Sequence, residues 1–452
     1  MRKPRSSKAG GALITISTFS WAITQWFMVW IFARKGGPEA AGEYSALLSL
    51  LTPIFIVASL GLRTIYLTHH RVWPLRTYLN LRFLGLATGG AVFLSIALLE
   101  RKFTVSLILA MVAVRTIDLI TDVYGASIQR QERLAWLGLL GISTSLLTAC
   151  AVATAVLLGG SLSAAVGASA LVYLAVLGVY WHTAKPVDQD VTEPADGPLS
   201  GASTILRASV PVTVGQGIAG VAAYLPILLL GRWADTAIVG VFTGAAYLIT
   251  AANLVGSVAH TILISSFRRQ FSTQGAWRTY RRALKICGVL LLVVLALIPA
   301  IVFLGNPVLQ FVYGPQFSLP RVALLLLSVA VVPIAPSYLF SAVLAVYNRF
   351  RAEAIVWLCA VVVATVSGAA LLSTSFDPLN AGMVVAAVLS WTRFLGVFIL
   401  TRRAATRVSP PSPVQPASLT QPARPVPSSQ PAPIPQSPQP AMGRSTTHKK
   451  DT

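Results

Sequence analysis

Residues 115 to 125 read RTIDLITDVYG, and three of them, Arg115, Asp118 and Asp122, carry side chains that bind ions or protons. On a helix, Arg115, Asp118, Asp122 and Gln129 project at about 0°, 300°, 340° and 320°, one polar face running over roughly 21 Å. Spacings of three and four residues set the guanidinium beside one carboxylate and the two carboxylates beside each other. Such a row has three chemical uses. It offers a cation to an oxyanion, a carboxylate pair that exchanges a proton or metal cation, or an ion pair that is satisfied internally. Carboxylates so close resist being ionised together, so one of them can hold a proton near neutral pH.

The row sits in an apolar chain. Of 452 residues 55% are hydrophobic and 11% charged, with mean hydropathy +0.71. Runs such as VLLLVVLALIPAIVFL (289–304) and VALLLLSVAVVPIAP (322–336) carry no charge. Roughly 20 such residues cross the hydrocarbon of a bilayer as a helix. Alternating strands of about ten residues are absent, which argues against a membrane barrel. The reading is an all-α integral membrane protein with twelve transmembrane helices near 12–33, 45–66, 83–99, 105–127, 136–158, 164–182, 207–231, 238–264, 285–304, 321–346, 354–373 and 380–400.

Charge in the connections sets the orientation. About 26 of the 35 Lys and Arg fall in one alternate set of connections and about 6 in the other, so the first set and both termini are expected in the cytoplasm. The same distribution accounts for the net charge of +21 and points to anionic membrane lipids as partners, with no nucleic acid. The expected organisation is a cytoplasmic N-tail (1–11), a six-helix bundle (12–182), a cytoplasmic linker (183–206), a second six-helix bundle (207–400) and a disordered Pro-rich cytoplasmic tail (401–452). MRKPRSSKAG reads as that tail leading into the first span, not as a removable signal peptide. Cys150, Cys287 and Cys359 lie in apolar segments at unrelated spacings, so no disulfide framework, metal site or cofactor is expected.

The halves echo each other. Gly42, Tyr44 and Ser45 open helix 2 as Gly240, Phe242 and Thr243 open helix 8. Helix 1 aligns Ser17, Trp21, Thr24 and Met28, with Gln25 beside them; helix 7 aligns Ser209, Thr213, Gln216, Gly220 and Tyr224. Polar stripes on spanning helices are expected to face a cavity between the halves, the architecture of many secondary transporters. For Gly42 and Gly240 alone, close helix packing is the simpler reading. Arg63 (LGLRTIYL) and Arg393 (SWTRFLG) stand in or at the ends of apolar spans, either as cavity cations or as snorkelling side chains. Arg115 either meets substrate or is occupied by Asp118, and Asn253 and His260 share a face of helix 8.

The stretch from Arg115 through DLITDVYGASIQRQERLAWLG resembles a segment of the bacterial polysaccharide (O-antigen-type) flippases of the multidrug/oligosaccharidyl-lipid/polysaccharide (MOP) exporter superfamily. Tyr124, Gly125, Gln129 and Arg133 stand where that family carries its tyrosine–glycine, glutamine and arginine, and GEYSALLSLLTPIFIVASLGL (42–62) is similar to its second helix. The likeness of organisation covers about residues 10–400. It implies a MATE-like fold of two six-helix bundles around a cationic cavity. It also implies translocation of undecaprenyl-pyrophosphate-linked glycan from the cytoplasmic to the outer leaflet of the bacterial cytoplasmic membrane, in company with other polysaccharide-assembly proteins. Arg63, Arg115, Arg393, Gln25, Gln216 and Asn253 are then the substrate-binding candidates, and Asp118 and Asp122 the candidates for coupling to H+ or Na+.

A multidrug or small-solute antiporter of the same superfamily shares this fold, but should favour acidic and aromatic residues for cationic cargo. A membrane-embedded glycosyltransferase or polymerase needs a sizeable acidic outer loop, whereas the longest here, GNPVLQFVYGPQFSLP, has no acid or histidine. The expectation is therefore a transporter, not an enzyme. Major-facilitator transporters carry a Gly-x-x-x-Asp-Arg/Lys pattern that HHRVWPLRTYLN lacks.

Overall fold

A computed structural model describes residues 6–68, 73–184 and 198–407, and among these every regular element is a helix. Residues 1–5 of the expected N-tail, 185–197 of the expected linker and 408–452 of the expected C-terminal tail lie outside the described residues. In chain order the helices are α1 (Ser6–Ala58), α2 (Leu62–Thr68), α3 (Leu75–Glu100), α4 (Val105–Arg130), α5 (Leu134–Leu157), α6 (Leu162–Thr183), α7 (Pro198–Trp233), α8 (Thr236–Tyr313), α9 (Arg321–Val331), α10 (Ile334–Val346), α11 (Phe350–Leu372) and α12 (Pro378–Arg407).

Two of these elements break at glycine. Gly37 in α1 has φ 71° and Gly275 in α8 has φ 80°, a region that strains an L side chain. Among the described residues nine segments are long and apolar enough to cross a membrane, and the two that contain these breaks, 60 and 78 residues long, are each long enough for two crossings. With α4, charged but 26 residues long, the helix lengths accommodate the expected twelve crossings among the described residues. Large apolar side chains face outward on them, Phe303 and Phe311 being 75% and 80% exposed, as suits helices solvated by hydrocarbon.

Bounds differ where an inner face remains to be buried. Helix α8 continues through the expected loop 265–284 on both sides of Gly275, because Phe267, Ala276, Tyr280 and Ala283 are buried there. Helix α7 begins at Pro198, ahead of residue 207, and α12 runs to Arg407, so residues 401–407 of the expected tail are helical, with Thr401, Ala404 and Ala405 buried. The expected single helix at 321–346 is two, α9 and α10, parted at Val332 and Pro333, where proline removes a donor from the helical ladder. One core gathers Leu47, Leu51 and Phe55 of α1 with Phe93, Leu107 and Val166 of the next helices. Another gathers Phe267, Tyr280, Phe340, Phe394 and Val397 from α8, α10 and α12.

Candidate functional site

After α1 the chain turns through Leu60 (φ 54°) and Gly61 (φ 56°) into α2, which brings Arg63 against α4. Arg63 Nη1 donates to Asp122 Oδ1 at 2.6 Å, and Nη2 donates to Gln129 Oε1 at 2.7 Å. The other Asp122 oxygen accepts from Arg82 Nη2 at 3.2 Å. Arg82, 1% exposed, spends its second nitrogen on the Ser59 carbonyl at 2.8 Å, just past the end of α1. Arg115 bonds Asp118 at 3.4 Å and Thr52 Oγ1 at 3.3 Å. Three guanidiniums against two carboxylates leave one positive charge, and both carboxylates are engaged.

An Asp122→Asn substitution leaves Arg82 buried beside a neutral amide. Breaking a partly buried pair from one side costs on the order of 1–3 kcal/mol. A melting temperature in detergent a few degrees below wild type is the expected result, and an unchanged one would show that Arg82 finds its compensation elsewhere.

Between the halves lies a cavity of about 420 Å³, a volume that suits a small-molecule headgroup. Trp21 and Gln25 of α1, Tyr224 of α7, Tyr247 and Asn253 of α8, and Ser390 and Arg393 of α12 are among its walls. Arg393 is 5% exposed, and its guanidinium carbon lies 4.1 Å from the ring centroid of Tyr338 and 4.1 Å from that of Trp357. Among the described residues no carboxylate pairs with it, and its Nε is buried without a partner. Aromatic faces offset part of the cost of burying the charge, and a guanidinium carries five N–H donors of the kind that pair with an oxyanion. Snorkelling does not describe this side chain, because the two rings hold it inside the protein.

At the end of the molecule that carries Gly37, the halves meet. A β-carbon on Gly42 would collide with the Thr236 carbonyl oxygen, and one on Gly240 with the Pro38 carbonyl oxygen. Each would also stand 2.9–3.0 Å from the other glycine's amide nitrogen. Packing is thus the role of both glycines, and each packs against the opposite half. Lys102 Nζ donates across the same seam to the Gly231 carbonyl at 3.2 Å, and Trp30 Nε1 to that of Val312 at 2.9 Å.

Of the sequence-derived candidates, the cavity gathers Gln25, Asn253 and Arg393. Arg63, Asp118 and Asp122 belong to the α4 network, away from its walls. Arg115 and Gln25 share a separate pocket of about 30 Å³, room for about two waters. Gln216 is exposed one turn from Ala219 and does not line the cavity. The stripes on helices 1 and 7 mostly serve packing: Thr24 donates to the Ser145 carbonyl at 3.2 Å and Thr213 to that of Ser209 at 2.9 Å. A hydroxyl satisfied by a carbonyl fits a helix interface without needing water. Trp21 and Tyr224 are the members of those stripes that reach the cavity. Sequence reasoning missed Arg82, Tyr338 and Trp357.

No family model matches the sequence, and no curated protein sequence matches it. Solved structures do match. The chain overlaps an inward-facing conformation of a multidrug resistance MATE family transporter of the MOP superfamily with a TM-score of 0.64 at 16% identity, covering 85% of this chain and 94% of that one. It overlaps the lipid II flippase MurJ in an inward closed conformation with a TM-score of 0.64 at 12% identity, covering 87% and 89%. An outward-facing conformation of a MATE family transporter gives 0.56 at 14% identity, covering 88% and 95%. The fold is therefore the all-helical, multi-pass membrane fold found in transporters of the MOP superfamily.

Proposed function

We propose that the chain flips a lipid-linked anionic glycan across a bacterial cytoplasmic membrane by exposing the inter-half cavity to each side in turn. The cargo of this reading is an undecaprenyl-pyrophosphate-linked oligosaccharide, moved from the cytoplasmic to the outer leaflet. One observation carries it: Arg393 is a buried cation on the cavity wall with no carboxylate within 4 Å among the described residues. A pyrophosphate would satisfy that charge, Gln25, Asn253 and Ser390 offer hydrogen bonds to sugar, and the lipid tail stays in the bilayer. The positive connections support a cytoplasmic side for the basic end, and on that reading the Gly42–Gly240 seam closes the outer side.

Residues 12–182 and 207–400 act as the two moving bundles in this scheme. Outward movement of an anion gains about 2.3 kcal/mol per charge per 100 mV of inside-negative potential. Asp118 and Asp122 hold arginines in this conformation, and coupling to H+ or Na+ requires one of those pairs to open. No step makes or breaks a covalent bond.

A cation antiporter is the competing reading, with Asp118 and Asp122 as its drug or ion site. Their bonds to guanidiniums and the positive charge on the cavity wall weigh against it. Deletion of the gene is expected to abolish a surface glycan and to leave sensitivity to cationic drugs unchanged. Intact glycan together with raised drug sensitivity would overturn the proposal.

A further inference from the structure

Residues 236 to 352 contain no aspartate or glutamate but nine arginines and lysines, six of which gather at the elbow of α8 around Gly275. Beyond that glycine the helix is two-faced. Ala276, Thr279, Tyr280, Ala283 and Cys287 are buried at helical spacing, Tyr280 lying 6.2 Å from Phe340 of α10 and 6.3 Å from Phe398 of α12. Arg278, Arg281, Arg282 and Lys285, spaced i, i+3, i+4 and i+7, are exposed on the other side. Arg268 and Arg269 are exposed across the elbow. Among the described residues none of the six forms an ion pair, and the one bond Arg282 makes, to Gln270 Oε1 at 3.3 Å, is to a neutral group.

We propose that this elbow is a docking face for anionic phospholipid in the leaflet at the basic end of the molecule. Depth argues for a lipid surface as the occupant. The uncharged run 289–304 begins four residues after Lys285, which sets the basic stripe at headgroup level. Trp277 and Leu284, 46% and 44% exposed, share the outer side, and an exposed tryptophan beside cations is suited to the interface between hydrocarbon and water. Cations at headgroup level attract anionic phosphate, and no carboxylate of this segment competes for them. The opposite segment of α8 carries Tyr247 and Asn253 into the cavity, so a lipid held at the elbow anchors a cavity-lining helix.

Native mass spectrometry of the full-length chain, released from micelles holding equal phosphatidylglycerol and phosphatidylcholine, tests this directly. Wild type is expected to retain phosphatidylglycerol in several-fold preference. The combined Arg278→Gln, Arg281→Gln, Arg282→Gln and Lys285→Gln variant should lose about fivefold or more of that preference. Lysine at the three arginine positions should keep it within about twofold, because the attraction is mainly one of charge. Arg101→Gln with Arg321→Gln, at the opposite end, should leave it unchanged. Equal retention of the two lipids by wild type, or an unaltered preference in the glutamine variant, overturns the proposal. Should that variant fail to fold, raising salt from about 50 to 500 mM on wild type decides, since a headgroup preference that ignores salt contradicts it.

Discussion

Arg393→Ala is expected to lower the initial rate of flipping of a pyrophosphate-linked glycan in proteoliposomes by roughly tenfold to a hundredfold. A hydrogen bond between charged partners is worth about 1.5–3 kcal/mol, and here the alternative is an oxyanion with no fixed cation to meet it. The substitution removes a buried charge that lacks a carboxylate partner among the described residues, so the melting temperature should stay within a few degrees of wild type. Loss of transport without loss of fold is the signature to look for. Lysine at this position keeps the charge but loses the planar fork that fits between Tyr338 and Trp357, and its rate should fall in between. A wild-type rate in the alanine variant would mean that the cargo anion binds elsewhere.

Gly42→Ala should have the second large effect, on conformation. Its added methyl group meets the Thr236 carbonyl, a backbone atom that cannot turn aside as a flexible side chain can. Forcing extra volume into a packed contact typically costs about 1–3 kcal/mol, enough to shift a two-conformation equilibrium about five- to a hundredfold. Spin labels at Glu39→Cys and Asp235→Cys, in a background with Cys150, Cys287 and Cys359 replaced, report the width of the seam. Gly42→Ala should move the distance distribution towards an open seam, and Gly240→Ala should do the same through Pro38. Gly215→Ala, whose β-carbon meets nothing within 4 Å, should leave the distribution in place. An unmoved distribution in both seam variants would remove the seam as the closing contact.

What the sequence reveals and what it hides follows from how far apart the partners are. Arg115 and Asp118 lie one turn apart on one helix, so spacing alone predicts their pair, and the pair forms. Asp122 is visible as a charge out of place, but its partners lie 59 and 40 positions away on α2 and α3. Arg82 was hidden for a further reason. An arginine beside an apolar span reads as an interfacial residue, whereas α3 starts at Leu75 and carries Arg82 into the interior. Arg393 stands out in an apolar helix, yet nothing distinguishes Tyr338 or Trp357 from the aromatic residues that fill any bilayer span. The hydroxyl stripes misled because serine and threonine serve tight helix contacts as readily as a wet cavity. The echo of Gly42 in Gly240 was legible, but the meeting of the two glycines across the halves belongs to the fold alone.

Reconstitution of the purified chain measures the charge of the cargo. Proteoliposomes carrying a fluorescent undecaprenyl-pyrophosphate-linked oligosaccharide in one leaflet, and a cationic dye in the lumen of a parallel set, present both cargoes to the same protein under the same inside-negative potential. The glycan is expected to cross in a protein-dependent manner that Arg393→Ala impairs, and the dye to be retained. Dye movement driven by a proton or sodium gradient, with the glycan left in its original leaflet, would contradict that expectation.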